Sequence, residues 1–198
     1  MSQQPLEIIY FDIRGKAQLA RNILTLFKIP FVDTRIKGNT PDDALKQLAP
    51  YKQFPILKIG DLILAQSMTI ARFYASQNNY SGKTFIEKAL ADEVVDSTQD
   101  LLLAFFTNKD DEEKRKNYFE VTVPNFLSTW ESKLVSGNGF IARGDSYTFA
   151  DLSVFTVVEQ LKLQERLVSF PIIQKLFNYF VNHEILGPYY KSLPADPQ

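Results

Sequence analysis

The sequence has no cysteine and only one histidine among its 198 residues. Without cysteine, the chain cannot form a disulfide, a zinc–thiolate site or a cysteine nucleophile. A single histidine excludes a metal site built from several histidines and disfavours a Ser-His-Asp triad. That histidine, His183, lies in the late segment YFVNHEILGP, a context typical of a surface residue at the end of a helix. The chain therefore has few side chains of its own for thiol or imidazole chemistry.

Long apolar runs and an excess of charge are also absent. No segment approaches the roughly 20 apolar residues that a helix needs to cross a bilayer. The formal net charge is -1, so the overall balance does not indicate binding to nucleic acid or to an anionic membrane. The first residues, MSQQPLEIIYFDIRG, show no basic leader before a long apolar stretch. This pattern predicts a cytoplasmic protein.

The chain does have many hydrophobic residues, at 45%, and these include 16 phenylalanines and nine tyrosines. It can therefore bury an aromatic core. In the first part, short apolar runs alternate with amphipathic ones. We predict strands at Leu6–Phe11, Phe31–Ile36, Pro55–Ile59 and Leu62–Ala65, and helices at Ala17–Phe27, at 41–48 and after a capping serine, Ser67. The order βαβαββα is that of a thioredoxin-like domain, a small mixed sheet covered by helices.

Beyond the polar, turn-rich stretch NNYSGK, almost every segment has helical periodicity. A long charged and amphipathic segment, Asp110–Leu134, is predicted as one helix. The run TFAD, from Thr148 to Asp151, has the spacing of a capping box before another helix. The sequence thus predicts an α+β protein with a thioredoxin-like domain at 1–78, a linker at 79–83 and an all-helical domain at 84–198.

Thioredoxin-like domains usually react through their own cysteines, so any thiol chemistry in this cysteine-free chain would need a sulfur that arrives on a ligand. Four segments, YFDIRGKAQLAR, FPILKIGDLILAQSMTIARF, ADEVVDSTQD and TFADL, together resemble the cytosolic glutathione transferases. The resemblance is strongest to the sigma class, which includes haematopoietic-type prostaglandin D synthases and invertebrate enzymes, and it covers essentially the whole chain. It implies a homodimer that uses glutathione as co-substrate, needs no metal and conjugates the thiolate to small hydrophobic electrophiles.

The resemblance implies that Tyr10 is the catalytic residue and donates its hydroxyl to the sulfur of glutathione. A free thiol has a pKa of about 8.5. A hydrogen bond given to the thiolate lowers this value, and the thiolate is the nucleophile. From its position alone, at the end of a strand, Tyr10 is better interpreted as an ordinary aromatic strand residue.

Two dipeptides are implied to hold glutathione. Pro55 is expected to follow a cis peptide bond, which would turn the backbone of Phe54 toward a peptide ligand. Gln66 and Ser67 stand at a helix N-terminus, where free N–H groups favour the γ-glutamyl carboxylate. From the residues alone, a trans proline and a plain serine cap are the competing interpretations.

Further glutathione contacts follow from the resemblance. Lys46 is implied to bind the glycyl carboxylate, with Lys52 or Gln53 at the same end. Asp100 matches an acid that reaches across the dimer to the γ-glutamyl amine. A lysine on a short polar helix is also typical of a solvated surface.

The electrophile is expected to lie beside the sulfur, against Phe11 and Lys16. On the first helix of the second domain, Leu102, Leu103 and Phe106 are expected to supply apolar contacts. Residues at this helical spacing are also typical of an ordinary core.

The chain departs from its prostaglandin-type relatives at several positions. The loop Lys37–Thr40 has no tryptophan, Gln99 replaces an acid associated with metal activation, and Thr107 stands where an aromatic is expected. These departures argue against prostaglandin isomerisation, which remains an alternative function. A non-catalytic carrier or structural protein on the same fold is the other alternative.

Overall fold

The computed structural model describes residues 5–38 and 40–193. It divides into two compact units. One contains the chain up to Asn78 together with the segment from Glu184 onward, and the other is Asn79–His183. The sequence-based division assigns the last segment to the helical domain, whereas the structure groups it with the first unit.

The first unit is built on a mixed four-stranded sheet, as the sequence predicts. Its strands are β1 (Leu6–Phe11), β2 (Val32–Ile36), β3 (Ile56–Ile59) and β4 (Leu62–Ala65), in the order β2-β1-β3-β4. β1 and β2 are parallel, and the other two pairs are antiparallel. With its helices the unit has the thioredoxin-like fold.

The register of the strands decides which chain segments meet. Ile9 lies opposite Ile56, and Ile56 lies opposite Ala65 on its other side. One residue further along each strand, the end of β1, the start of β3 and the end of β4 therefore share one edge of the sheet. Three segments distant in sequence converge there: 10–11, 54–55 and 66–67.

Helices cover both faces of this sheet. They are α1 (Gln18–Leu26), α2 (Asp43–Leu48), α3 (Ser67–Gln77) and α9 (Leu186–Ser192), and a single 3-10 turn, Gly15–Ala17, precedes α1. α1 packs against α3 and α9. A separate apolar cluster joins Ile9, Ile36 and Ile56 to residues of α2. The sequence pattern predicts these helices because their apolar residues recur at helical spacing.

The second unit consists of helices in the part of the chain that the structure describes. They are α4 (Phe85–Asn108), α5 (Glu112–Asn117), α6 (Val123–Ser136), α7 (Phe149–Gln160) and α8 (Pro171–Val181). α4 packs against α7, and α6 packs against α8. Trp130 of α6 is buried, and its indole N–H donates to Ser97 Oγ of α4 at 2.9 Å. Among the described residues no helix is both long and apolar enough to span a membrane.

The prediction of one helix over Asp110–Leu134 is wrong in detail. α5 ends at Asn117, a wider π-helical turn follows over Tyr118–Thr122, and α6 then begins. Pro124 is the second residue of α6 and directly follows this wider turn, so the departure from regular α-helix occurs next to the proline. In the middle of a regular helix, the same proline would lose a backbone hydrogen bond and clash with the preceding turn.

The predicted capping box of α7 is confirmed. Asp151 accepts hydrogen bonds from the backbone N–H of Thr148 at 2.8 Å and of Ile141 at 3.0 Å, and from Thr148 Oγ1 at 3.0 Å. Its side chain is fully buried, and burial raises the pKa of this carboxyl group from 3.8 to about 6 against the opposing effect of those donors. Asp151 therefore ties the helix start to the preceding loop.

The raised pKa of Asp151 makes stability depend on pH in a defined direction. Between the unfolded pKa of 3.8 and the folded pKa of about 6, the native state holds more protons than the unfolded state, so this group's contribution falls as pH rises. Asp151→Asn should lower the free energy of unfolding, and by about 1 kcal/mol more near pH 5 than well above pH 6. Urea unfolding at both pH values measures this. An equal loss at both values, or the same pattern in exposed Asp110→Asn, would contradict it.

Candidate active site

Tyr10 lies in the penultimate position of β1, with only 5% of its surface exposed. Its hydroxyl oxygen accepts a hydrogen bond from the backbone N–H of Lys16 at 3.1 Å. Accepting this bond uses a lone pair and leaves the O–H group as a donor in its own right. The strand and the following turn thus fix the position of the phenol.

Gly15 is required by the position of that phenol. A Cβ atom at residue 15 would lie 2.6 Å from the Tyr10 hydroxyl oxygen and 2.9 Å from its Cε1. Gly15 also has φ of +42°, a left-handed conformation that glycine adopts at little cost. The turn can therefore close over the phenol only because residue 15 lacks a side chain.

A buried arginine on α1 lies behind the same turn. The guanidinium of Arg21 donates to Asp33 Oδ1 at 2.9 Å, to the carbonyl of Ile13 at 2.9 Å and to that of Arg14 at 3.3 Å. Its Cζ lies 5.8 Å from the ring centroid of Tyr10. Burial lowers the pKa of Arg21 below its ordinary value, and the carboxylate of Asp33 opposes that shift. The group stays cationic at neutral pH.

The cis peptide bond predicted between Phe54 and Pro55 is confirmed. Phe54 packs its ring against Phe11, with centroids 5.8 Å apart. Within residues 5–38 and 40–193, the backbone N–H and C=O of Phe54 have no hydrogen-bond partner. This short segment is therefore open to pairing with an extended peptide.

The start of α3 differs from the prediction in one respect. The N-cap residue is Gln66, with φ of +73°, and Ser67 is the first helical residue instead of the cap. Gln66 makes no side-chain capping bond, and the Ser67 hydroxyl has no hydrogen-bond partner among the described residues. The first N–H groups of α3 are consequently left for another acceptor.

Lys46 and Lys52 lie at the C-terminal end of α2. Lys46 Nζ pairs with Asp43 at 3.1 Å, and its side chain is 44% exposed. Lys52 donates to the carbonyl of Lys46 at 3.1 Å, and Gln53 is exposed beside it. The loop Lys37–Thr40 has no tryptophan that could bind the glycyl end of glutathione. Asn39 of this loop lies outside the described residues.

The remaining predicted site residues belong to α4 in the second unit. Asp100 is exposed, Leu102 is buried, and Leu103 and Phe106 are exposed to 52% and 37%. Phe105 joins a ring cluster with Tyr118 and Phe119. Among the described residues, no group of three or more acidic or histidine side chains could hold a metal ion.

Sequence reasoning missed the residues that surround the Tyr10 phenol. Gly15, Arg21 and Asp33 are not among the site residues that the sequence predicts. The available signal was an arginine within the otherwise apolar periodic run AQLARNILTLF. A charge at such a position requires a buried partner, but the sequence does not say which.

Two family models match the chain. The N-terminal domain of glutathione S-transferase matches residues 6–76, and the C-terminal domain of glutathione S-transferase matches residues 95–193. The two matches together extend over both compact units.

Individual proteins are similar over most of the chain. Putative glutathione S-transferase alpha-2 of Dictyostelium discoideum is 31% identical over 195 residues, 94% of each chain. Hematopoietic prostaglandin D synthase of Gallus gallus is 30% identical over 149 residues, 73% of each chain. The solved structure of monomeric Na-GST-3, a glutathione S-transferase of the hookworm Necator americanus, is 26% identical, with a TM-score of 0.85, and the match covers 98% of this chain and 100% of that one.

Proposed function

This chain belongs to the glutathione S-transferase family, and from that premise we propose that it joins the thiolate of glutathione to small hydrophobic electrophiles. In the reaction, the sulfur lone pair forms a bond to an electrophilic carbon. The electron pair leaves with the displaced group or moves onto the activated acceptor. The protein supplies position and a lowered thiol pKa.

The Tyr10 hydroxyl carries this proposal. It is a buried phenol held at 3.1 Å by the Lys16 N–H, at the edge where β1, β3 and β4 bring three chain segments together. A phenol fixed there can donate to a thiolate, and a hydrogen bond to the charged form lowers the thiol pKa. We therefore assign Tyr10 as the catalytic residue.

The same edge offers complementary groups for a tripeptide. The N–H and C=O of Phe54, which have no partner in the described part of the chain, suit the backbone of the cysteinyl residue, with Pro55 fixing their direction. The free N–H groups of α3, Ser67 and Gln66 suit the γ-glutamyl carboxylate. Lys46, with Lys52 and Gln53, supplies positive charge and polar groups for the glycyl carboxylate.

Contacts to the electrophile remain a prediction from the resemblance. Phe11 and Lys16 are neighbours of Tyr10 in the first unit. On α4, Leu103 and Phe106 are exposed, as a ligand-contacting residue has to be, whereas Leu102 is buried in its own unit. Leu102 is the weakest member of this set.

We further propose that the protein is a sigma-class homodimer in which Asp100 reaches the γ-glutamyl amine in the partner subunit. The exposed carboxylate of Asp100 has the charge for that contact. The hookworm relative described as monomeric makes the oligomeric state a question for measurement. Sedimentation of the purified protein tests the dimer, and KM for glutathione in Asp100→Asn tests the contact with the amine. The cytoplasmic location also remains a prediction.

The experiment for the proposed function is direct. The purified protein is incubated with glutathione and a panel of chromogenic aryl halides and unsaturated carbonyl compounds, and conjugation is followed by absorbance. Turnover supports the proposal. Tight binding of glutathione without turnover across the panel would favour the non-catalytic carrier. Because one relative is a prostaglandin D synthase, prostaglandin H2 with glutathione is included, and isomerisation exceeding conjugation would favour that alternative.

Ser67→Ala should weaken glutathione binding without destabilising the protein. The Ser67 hydroxyl has no hydrogen-bond partner among the described residues, so its loss breaks no contact there. A hydrogen bond to the γ-glutamyl carboxylate would be lost, and KM for glutathione should rise about 10-fold.

A true serine or threonine cap behaves in the opposite way. Thr84 caps α4 by accepting from the Glu87 N–H at 3.1 Å. Thr84→Ala should therefore lower the free energy of unfolding by about 1 kcal/mol and leave KM unchanged. Steady-state kinetics and urea unfolding of both variants separate the two effects; an unchanged KM in Ser67→Ala removes it from the glutathione site.

A further inference from the structure

Arg21 is a charged residue placed where a helix would normally bury an apolar one. It lies on α1, its side chain is completely inaccessible to solvent, and Nη2 has no hydrogen-bond partner among the described residues. Burying a charge in this way is costly unless it is fully paired. An apolar residue of similar size would fill the same space without that cost. Packing alone therefore does not explain why a charged guanidinium is buried at this position.

Arg21 belongs to a small network of charged side chains. Its one direct carboxylate, Asp33, is shared with Arg35, whose Nη2 lies 2.8 Å from Asp33 Oδ2. Arg35 has a second acid, Asp12, at 3.3 Å, which is half exposed. The hydroxyl of Tyr189 is the other titratable group that acts on Arg21. Arg21 thus shares its one directly bonded carboxylate with Arg35, while the second acid, Asp12, pairs with Arg35.

The remaining contacts of Arg21 are directed at the turn that holds the phenol. Nη1 donates to the carbonyls of Ile13 and Arg14, and the backbone N–H of Lys16, two residues later, donates to the Tyr10 hydroxyl. The guanidinium also lies 5.8 Å from the centroid of the Tyr10 ring, within cation–π range. One side chain therefore contacts both the ring of Tyr10 and the turn that fixes its oxygen.

On the basis of the proposed glutathione chemistry, we infer that Arg21 is the positioning residue through which Tyr10 acts. Its hydrogen bonds to Ile13 and Arg14 hold the turn that aims the phenol. Its positive charge near the ring draws electron density from the phenol and strengthens the hydrogen bond that Tyr10 gives to the thiolate. Arg21 does not touch the sulfur; it stabilises the thiolate through Tyr10.

The test is the ionisation of bound glutathione, read from the ultraviolet absorbance of the thiolate as pH is varied. Arg21→Met removes the charge and the hydrogen bonds. Arg21→Lys keeps the charge but loses the planar guanidinium that donates to Asp33, Ile13 and Arg14 at once. We expect the thiol pKa to rise by up to about one unit in Arg21→Met and by less in Arg21→Lys, because a misplaced or weakened hydrogen bond from Tyr10 stabilises the thiolate less. The acid limb of kcat/KM against pH should move equally.

Ile23→Ala provides the matched control, since Ile23 is equally buried on α1 but points about 200° away from Arg21 around the helix. It should destabilise the protein and leave the thiol pKa in place. Unshifted ionisation in both Arg21 variants, with only stability lost, would overturn the inference; if Arg21→Met does not fold, Arg21→Lys carries the test. Failure of the unsubstituted protein to bind glutathione would instead overturn the proposed function, and the inference with it.

Discussion

Tyr10→Phe should lower kcat/KM for conjugation by about 10- to 100-fold near neutral pH, with glutathione affinity little changed. The substitution removes one hydroxyl and keeps the ring, so the contact with Phe11 and the strand are preserved. What is lost is the bond that the hydroxyl accepts from the Lys16 N–H and a hydrogen bond to a charged sulfur, the second of which contributes about 1.5–3 kcal/mol. The remaining binding groups for the tripeptide belong to other segments.

The pH dependence gives this prediction a sharper form. Without the phenol, the thiol pKa of bound glutathione should return toward its free value of about 8.5. Above that pH both proteins hold a thiolate, so their rates should converge as pH rises. A constant ratio at all pH values would mean that Tyr10 does not act through ionisation of the thiol.

Tyr74→Phe is the matched control. Tyr74 is another tyrosine of the first unit that is 5% exposed, but it lies in the body of α3. Burial raises the pKa of its phenol to about 12, so removal of that hydroxyl should not affect a group that titrates near neutral pH. Equal losses of kcat/KM in Tyr74→Phe and Tyr10→Phe would contradict the assignment of Tyr10 as the catalytic residue.

The second large effect is expected at Gly15. Gly15→Ala places a methyl group 2.6 Å from the Tyr10 hydroxyl oxygen, a distance at which the phenol or the turn has to move. A displacement of about 1 Å in a catalytic group can cost on the order of 100-fold in rate. We therefore expect a loss of activity at least as large as in Tyr10→Phe, measured as kcat/KM. Melting should also occur at a lower temperature.

Gly139→Ala is a control that separates the steric contact with Tyr10 from the cost of placing alanine at a positive φ. Gly139 also has a left-handed φ, +96°, but no atom lies within 4 Å of its added Cβ. It should lose about 1–2 kcal/mol of stability from the unfavourable φ alone. Its conjugation activity should remain intact. Comparable activity losses in the two alanine variants would show that backbone strain, not the contact with Tyr10, is responsible.

The sequence predicted those features that depend on neighbouring residues. The bounds of β1 and β4 follow from short apolar runs between turn residues, and the capping box of α7 from the spacing of Thr148 and Asp151. The strand order required the resemblance as well, since pairing partners lie far apart in the chain. Once the register was fixed, convergence of the three segments 10–11, 54–55 and 66–67 followed from geometry.

The features it missed depend on backbone conformation or distant contacts. Ser67 is a favoured cap residue, yet Gln66 takes that place, with a positive φ that residue preferences do not reveal. The role of Arg21 could not be predicted because its partner Asp33 lies on β2. Their pairing depends on how the helix packs against the strand. The grouping of α9 with the first unit likewise rests on contacts with α1, including Asn22 Nδ2 to the Tyr190 hydroxyl at 2.8 Å.

The buried indole of α6 has a practical consequence. Trp130 is the sole tryptophan of the chain, and it lies in the all-helical unit. Intrinsic tryptophan fluorescence during denaturation therefore reports the unfolding of that unit, while the sheet-containing unit contributes no tryptophan emission. Comparing this optical signal with circular dichroism would reveal whether the two halves come apart in one cooperative step or in sequence.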